Sequence, residues 1–148
     1  MLNTHERPDW VSYYLAGAKW VSTRADCRRR QVGAILVADD NRVLSIGYNG
    51  TDPGKPGCLS GACPRGLLSY AEQPAMGDYS NCISRHAEHN ALLNIPGRNP
   101  IESMGDWDWL LNQSATMFIT DEPCSDCRTL MWKAGVHKAI WPGGEMQL

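Results

Sequence analysis

Four residues in this chain have the types and spacing to do metal chemistry. His86 stands two residues before Glu88 in the stretch Ser84 to Leu93 (SRHAEHNALL), and Cys124 and Cys127 stand three apart in Pro123-Cys124-Ser125-Asp126-Cys127. One imidazole and two thiolates make three zinc ligands, and a zinc site with three protein ligands keeps a fourth position for water. A carboxylate beside that position, here Glu88, is the acid/base a hydrolytic water needs. A His-x-Glu triplet alone is common by chance; its pairing with the Cys-x-x-Cys stretch is the specific signal. The competing arrangement is a closed zinc knot of His86, Cys124, Cys127 and one of Cys58, Cys63 or Cys82. That knot would leave Glu88 beside the metal without a task.

These side chains must be positioned by regular elements. Residues 123–134 read as a helix with Pro123 at its start and Gly135 after its end, an asymmetry that fits helix termini. Cys124 and Cys127 then project to one side, where the positive end of the helix favours thiolates. His86 opens a second helix, predicted over 86–94, with Ala87, Ala91, Leu92 and Ile95 facing inward and Pro96-Gly97 stopping it.

Two strands, VGAILVADD and NRVLSIGYNG, are joined by a tight turn at Asp39-Asp40-Asn41. The first is apolar on both faces, which predicts a central strand covered on both sides. Strands over 115–120 and 136–141 flank the Cys-bearing helix, and that order implies a parallel βαβ unit. Near the N-terminus, Trp10, Tyr14, Ala18 and Val21 share one face of a helix predicted over 9–25, and a helical turn is expected at 106–111. Residues 51–81 are irregular, with Pro53, Pro56, Pro64 and Pro74; so long a loop in a small domain needs an anchor or a function.

At 148 residues the chain is expected to form one domain, 1–148, with 51–82 as a long Cys/Pro/Gly-rich insertion loop. A formal net charge of −2 argues against gripping extended nucleic acid, although it permits one phosphate-bearing small molecule. The N-terminal residues lack the pattern of a signal peptide and no apolar run approaches a membrane span, so a cytoplasmic protein with no membrane partner is expected. In a reducing compartment six cysteines are ligands or buried thiols rather than disulfides.

From about Trp20 to Trp141 the chain resembles the deoxycytidylate deaminases of the zinc-dependent cytidine deaminase superfamily. The matching segments are Arg28-Arg29-Arg30-Gln31-Val32-Gly33, Gly47-Tyr48-Asn49-Gly50, His86-Ala87-Glu88 with Asn90-Ala91-Leu92, and Pro123-Cys124-Ser125-Asp126-Cys127. The His-Ala-Glu and Pro-Cys-x-x-Cys motifs are shared by the superfamily; Gly-Tyr-Asn-Gly with the preceding Gln-Val-Gly points to the deoxynucleotide branch. The resemblance implies a three-layer α/β/α fold around a mixed sheet of four to five strands, and hydrolytic deamination of dCMP to dUMP. It implies one catalytic zinc on His86, Cys124 and Cys127, with Glu88 as the catalytic acid/base. Asn49 would help hold sugar and base, with Ala87 also on the substrate, and Arg24, Arg29 and Arg30 are the phosphate candidates. The bland alternative for these arginines is solvated loop charge or oligomer contact.

The resemblance also carries a second, structural zinc at Cys58, Cys63 and Cys82, with His89 completing a Cys₃His set; the alternative is three reduced, buried cysteines. Family members usually continue past the fourth strand with a fifth strand and a final helix, and here Pro142 to Leu148 is expected to stop short of both. An open sheet edge favours a homo-oligomer, hexamer or dimer, and the family brings dCTP and dTTP as effectors. Three other readings stay open. One is a 5-substituted dCMP as substrate. Another is tRNA adenosine, hinted at by Glu122-Pro123-Cys124 but opposed by the acidic charge and Gly-Tyr-Asn-Gly. The third is a non-catalytic zinc module, opposed by Glu88.

Overall fold

A five-stranded sheet in the order β2-β1-β3-β4-β5 forms the middle layer. The strands are β1 (Gly33–Val37), β2 (Val43–Tyr48), β3 (Thr116–Ile119), β4 (Lys138–Trp141) and β5 (Gly144–Gln147). The structure is a computed structural model that describes residues 5–72 and 82–148. β1 pairs antiparallel with both β2 and β3, β3 runs parallel to β4, and β5 returns antiparallel to β4. Every residue of β1 is buried, as its two apolar faces require of a central strand.

Helix α1 (Trp10–Ser22) covers one face, and α2 (Ala87–Leu93) and α4 (Ser125–Ala134) cover the other, with α3 (Met104–Asn112) packed beside α4. The period-2 alternation of the strands sorts side chains between these layers. Ile35 and Val37 join Phe118 and Ile140 under Tyr14, Ala18 and Val21 of α1. Ala34 and Leu36 join Met117, Ile119 and Ala139 under Ala91 and Leu92 of α2 and Met131 and Ala134 of α4. Each fully buried aliphatic side chain of this kind contributes about 1.5–3 kcal/mol.

Two glycines let the helices approach the sheet. A Cβ at Gly33 would lie 2.1 Å from the Ala18 carbonyl oxygen, and one at Gly47 would lie 2.2 Å from the Ala91 amide nitrogen. At both positions the neighbour is backbone, which cannot swing aside as a flexible side chain would. The second contact matters for function, because α2 carries His86 and Glu88.

Several expectations need correction. Trp10 is 57% exposed and stacks on the outside of Tyr14, with ring centroids 5.7 Å apart, so the buried face of α1 is Tyr14, Ala18 and Val21. The helical turn at 106–111 is part of a nine-residue helix, Met104–Asn112. The chain does form a fifth strand: Pro142-Gly143, with Gly143 at φ 88°, turns β4 directly into β5. Pro then Gly is the pairing that suits a turn needing positive φ at its second central residue. In the 51–82 loop, short 3₁₀ turns occur at Cys58–Ser60, Arg65–Leu67 and Tyr70–Glu72; Pro74 and the rest of 73–81 lie outside the described residues.

Candidate active site

The side chains that could do chemistry meet where the N-termini of α2 and α4 converge. His86 is the N-cap of α2 and Cys124 the N-cap of α4, and Cys127 lies in the first turn of α4. His86 Nδ1 is 3.1 Å from Cys127 Sγ and 3.6 Å from Cys124 Sγ. The three ligand atoms lie within 4.8 Å of one another, and they are the one such group of His, Cys, Asp and Glu among the described residues. A borderline-soft ion with one nitrogen and two sulfur donors in this span is zinc by donor chemistry. The residues therefore fit the metal that the motif implies.

α2 is held in place through its polar side chains. The Asn90 amide donates to the Tyr48 carbonyl at 2.8 Å and the Gly50 carbonyl at 3.2 Å, while its oxygen accepts from Arg85 Nε at 3.0 Å. The Ser45 hydroxyl donates to the Ala91 carbonyl at 2.6 Å. Gly50 and Arg85 exchange two backbone hydrogen bonds, at 2.9 and 3.0 Å, which fixes the chain one residue before His86. On α4, the Cys127 amide points at Cys124 Sγ at 3.5 Å, so the capping position itself is a thiol.

Glu88 is 3% exposed. Burial pushes its carboxyl above the ordinary carboxylate range, and its own backbone amide, His86 and the Cys127 thiol pull it partly back. Burial, with Glu88 and Cys124 as neighbouring acids, likewise drives the Cys127 thiol up. A divalent cation among these groups would reverse both preferences, because each acid would then face a positive charge.

A cleft opens over these residues, lined by His86, Ala87, Glu88 and Cys124 and by Asn49, Val32, Arg29 and Arg30. Asn49 is 8% exposed; its oxygen accepts from the Val32 amide at 2.9 Å and its nitrogen donates to the Arg30 carbonyl at 2.9 Å. It therefore clamps the segment that carries the arginines and keeps one further N–H. Arg29 reaches across to the loop, donating to the carbonyls of Arg65 (3.0 Å) and Leu68. Arg30 pairs with Asp121 at 3.2 Å. Arg24 is exposed and is not part of the cleft wall.

Of the residues assigned to a second metal, Cys58, Cys63 and Cys82 line the cleft, and Cys63 and Cys82 place their sulfurs 4.0 Å apart. His89 does not line it; Arg85 and His86 are its neighbours, and burial lowers its pKa. Sequence reasoning gave no structural role to Asn90, Arg65 or Cys27, of which the last two also line the cleft. Asn90 follows His86 by one helical turn and could have been found as the residue facing the preceding strand. Arg65 and Cys27 carried no periodic signal.

Comparison with known proteins agrees with this geometry. The profile of the family described as "Cytidine and deoxycytidylate deaminase zinc-binding region" matches residues 8–142. The chain is 37% identical to the deoxycytidylate deaminase of Mycobacterium phage D29 over 140 residues, covering 92% of this chain and 96% of that one. It is 33% identical to the deoxycytidylate deaminase of Schizosaccharomyces pombe, where the match spans 91% of this chain and 37% of the yeast protein. Among solved structures, the dCMP deaminase of cyanophage S-TIM5 in complex with dCMP and dUMP aligns with a TM-score of 0.61 at 28% identity, covering 93% of this chain and 83% of that one. A cytidine deaminase from Burkholderia pseudomallei, 18% identical with a TM-score of 0.52 over 92% of this chain and 91% of that one, shares the fold. The chain thus has the mixed α/β/α architecture of the cytidine deaminases, and it belongs to the cytidine and deoxycytidylate deaminase zinc-binding family.

Proposed function

We propose that this protein hydrolyses dCMP to dUMP and ammonia, with His86, Cys124 and Cys127 as zinc ligands and Glu88 as the catalytic acid/base. The observation that carries the reading is the meeting of three ligand atoms within 4.8 Å beside a carboxyl 3% exposed, in a cleft that also holds Asn49 and three arginines, Arg29, Arg30 and Arg65. Zinc held by these side chains supplies a Lewis acid and makes water nucleophilic near neutral pH.

Glu88 takes a proton from the attacking water and hands it to the pyrimidine ring nitrogen. A second proton, taken from the hydroxyl now on the ring carbon and passed by the same carboxyl to the exocyclic amine, lets the amine leave as ammonia while that oxygen becomes the carbonyl. Glu88 suits both transfers because its carboxyl is buried beside the zinc ligands in the wall of the cleft that receives the ring. Asn49 directs its remaining N–H toward the sugar and base, and the Ala87 wall lies against the ring. Arg29 and Arg30 face the 5′-phosphate, where a guanidinium matches the oxygens in pairs; Arg24, off the cleft wall, is the weakest member of that set. This assignment uses a small local basic wall and is compatible with a net charge of −2.

A homo-oligomer, dimer or hexamer, belongs to the same reading. It is supported by the outer face of α1, where Trp10, Tyr13 and Trp20 stand exposed, Trp20 by 70%. Regulation by dCTP and dTTP and residence in the cytoplasm are further parts of the proposal. Six unpaired cysteines are consistent with a reducing compartment, and no described helix is long and apolar enough to cross a membrane.

The deciding experiment is ammonia release from dCMP, deoxycytidine, cytidine and dCTP by zinc-loaded protein. A strong preference for the single 5′-phosphate is expected. Equal rates on dCMP and deoxycytidine would remove the arginine assignment, and no release from any of the four would remove the deaminase.

A further inference from the structure

Three guanidiniums and three carboxylates stand in the wall of the cleft: Arg29, Arg30 and Arg65 with Glu88, Asp121 and Glu122. Glu88 belongs to the reacting end. Glu122 pairs with Arg128 at 2.8 Å, and Asp121 pairs with Arg30 at 3.2 Å. A nucleoside monophosphate brings a charge of about −1.5 to −2 near neutral pH. Arg30 meets that charge with a carboxylate already beside it, and its side chain is 59% exposed, so solvent screens it as well. Arg29 alone carries one positive charge and leaves the dianion under-compensated. Arg65 is the third cation of the wall, half-buried, and it comes from the 51–82 loop rather than from the segment that bears Arg29 and Arg30.

The backbone that presents Arg65 is held from above and below. Arg65 begins the 3₁₀ turn Arg65–Leu67, with Pro64 before it. The Leu67 amide donates to the Pro64 carbonyl at 3.3 Å, and the Leu68 amide to the Arg65 carbonyl at 3.2 Å. Arg29 Nη2 donates to the carbonyls of both Arg65 (3.0 Å) and Leu68, so one nitrogen grips the two ends of the turn. On the inner side the amides of Arg65 and Gly66 hydrogen-bond to Cys63, which is 2% exposed. A Cβ at Gly66 would lie 2.5 Å from Cys58 Sγ, so glycine lets the turn settle directly on that buried thiol. The loop therefore delivers a cation on fixed backbone, although its own sequence has no periodic pattern.

We propose that Arg65 is a phosphate-selecting residue of this site and that Arg29 seats the turn that carries it. The inference rests on the dCMP reading above and adds to it a residue that none of the motif-bearing segments contains. A guanidinium matches phosphate oxygens in pairs, and two guanidiniums from separate segments compensate a dianion that one cannot. The bound nucleotide then bridges the basic segment and the loop, and preference for a 5′-phosphate over a bare nucleoside depends on the loop as well as on the motifs.

Steady-state deamination and dUMP binding by the zinc-loaded full chain test the assignment. In Arg65→Ala, KM for dCMP and Kd for dUMP should both rise about tenfold, the weight of one charge-assisted hydrogen bond. The change in kcat should be far smaller, as for an interaction made equally in the ground and transition states. Arg65→Lys keeps the charge and loses the paired donors, so its values should fall between those of Arg65→Ala and the unmutated protein. Unchanged KM and Kd in Arg65→Ala, or a kcat that falls as much as kcat/KM, would overturn the assignment. Arg65→Lys losing as much as Arg65→Ala would make the residue structural and overturn it too.

The seating role is read from a double variant. Arg29→Ala with Arg65→Ala should raise KM by less than the product of the two single effects, because Arg65 is no longer held once Arg29 is gone. A full product would overturn the seating role. Absence of ammonia release from dCMP by the unmutated protein would remove the deaminase reading instead, and dUMP binding, which needs no turnover, would still decide whether Arg65 meets the phosphate.

Discussion

On one side of the cleft, Cys124 and Cys127 hang from a helix that packs on the sheet, and His86 caps a second helix held by Gly47, Ser45 and Asn90. On the other side, Cys27, Cys58, Cys63 and Cys82 come from backbone that belongs to no strand or α-helix. The first group is positioned by packing that would exist without any metal. The second has short 3₁₀ turns and the Asp26 carboxylate, which accepts from the Leu59 amide at 2.9 Å, to hold it. Chemistry that needs a fixed carboxylate beside an open coordination position sits on the stiff side, and the part that must admit a nucleotide sits on the loop.

Four substitutions separate the two sides. Cys127→Ser should have the largest effect: turnover is lost and the zinc leaves while the fold persists, as metal analysis and circular dichroism beside an activity assay would show. Loss of the folded signal as well would mean that the two walls fold as one unit. Glu88→Gln should lower turnover by about 10²–10⁴-fold, the usual weight of a general acid/base, with zinc content unchanged. Residual turnover near that of the unmutated protein would assign the proton transfers elsewhere.

Gly47→Ala forces a methyl against the backbone of α2 and should cost about 1–3 kcal/mol in denaturant unfolding. It should also reduce kcat. The smallest effect is expected where the walls touch. Asp121 on the β3 side pairs with Arg30 on the loop side, but both side chains are more than a third exposed, at 38% and 59%. Such a pair is screened by solvent, so Asp121→Asn should shift stability by less than about 1 kcal/mol. A larger shift would show the two walls coupled through that ion pair.

The stiff side was the legible side. His-x-Glu and Cys-x-x-Cys are local patterns, and the elements carrying them follow from periodicity: β1 apolar on both faces, α2 with Ala87, Ala91 and Leu92 inward, and α4 between Pro123 and Gly135. Where an element lacks apolar periodicity, the sequence had little to offer. β5 reads Gly-Glu-Met-Gln, and only Met146 of its larger side chains reaches the core, so its pairing is dictated by β4 and the Pro142-Gly143 turn. Trp10 fits the apolar stripe of α1, yet it is the first residue of the helix and stacks on Tyr14 instead of entering the core. Cys27 sits in a basic loop thirty-one residues from Cys58 and gives no spacing signal, because its relation to the other thiols exists only after the chain has folded back.

The route by which β3 enters the sheet bears on when a metal can be captured. β3 lies between β1 and β4, so its residues at 116–119 must bond to partners at 34–37, across some eighty positions of chain. His86 and the two thiols are separated by 38 and 41 positions and approach each other only once that insertion has happened. A growing polypeptide that has emerged as far as α2 therefore carries one of the three ligands and has no tight grip on zinc. Uptake of the ion at His86 becomes a late event in biogenesis, and a metal-loading trace during refolding would time the closure of the sheet itself.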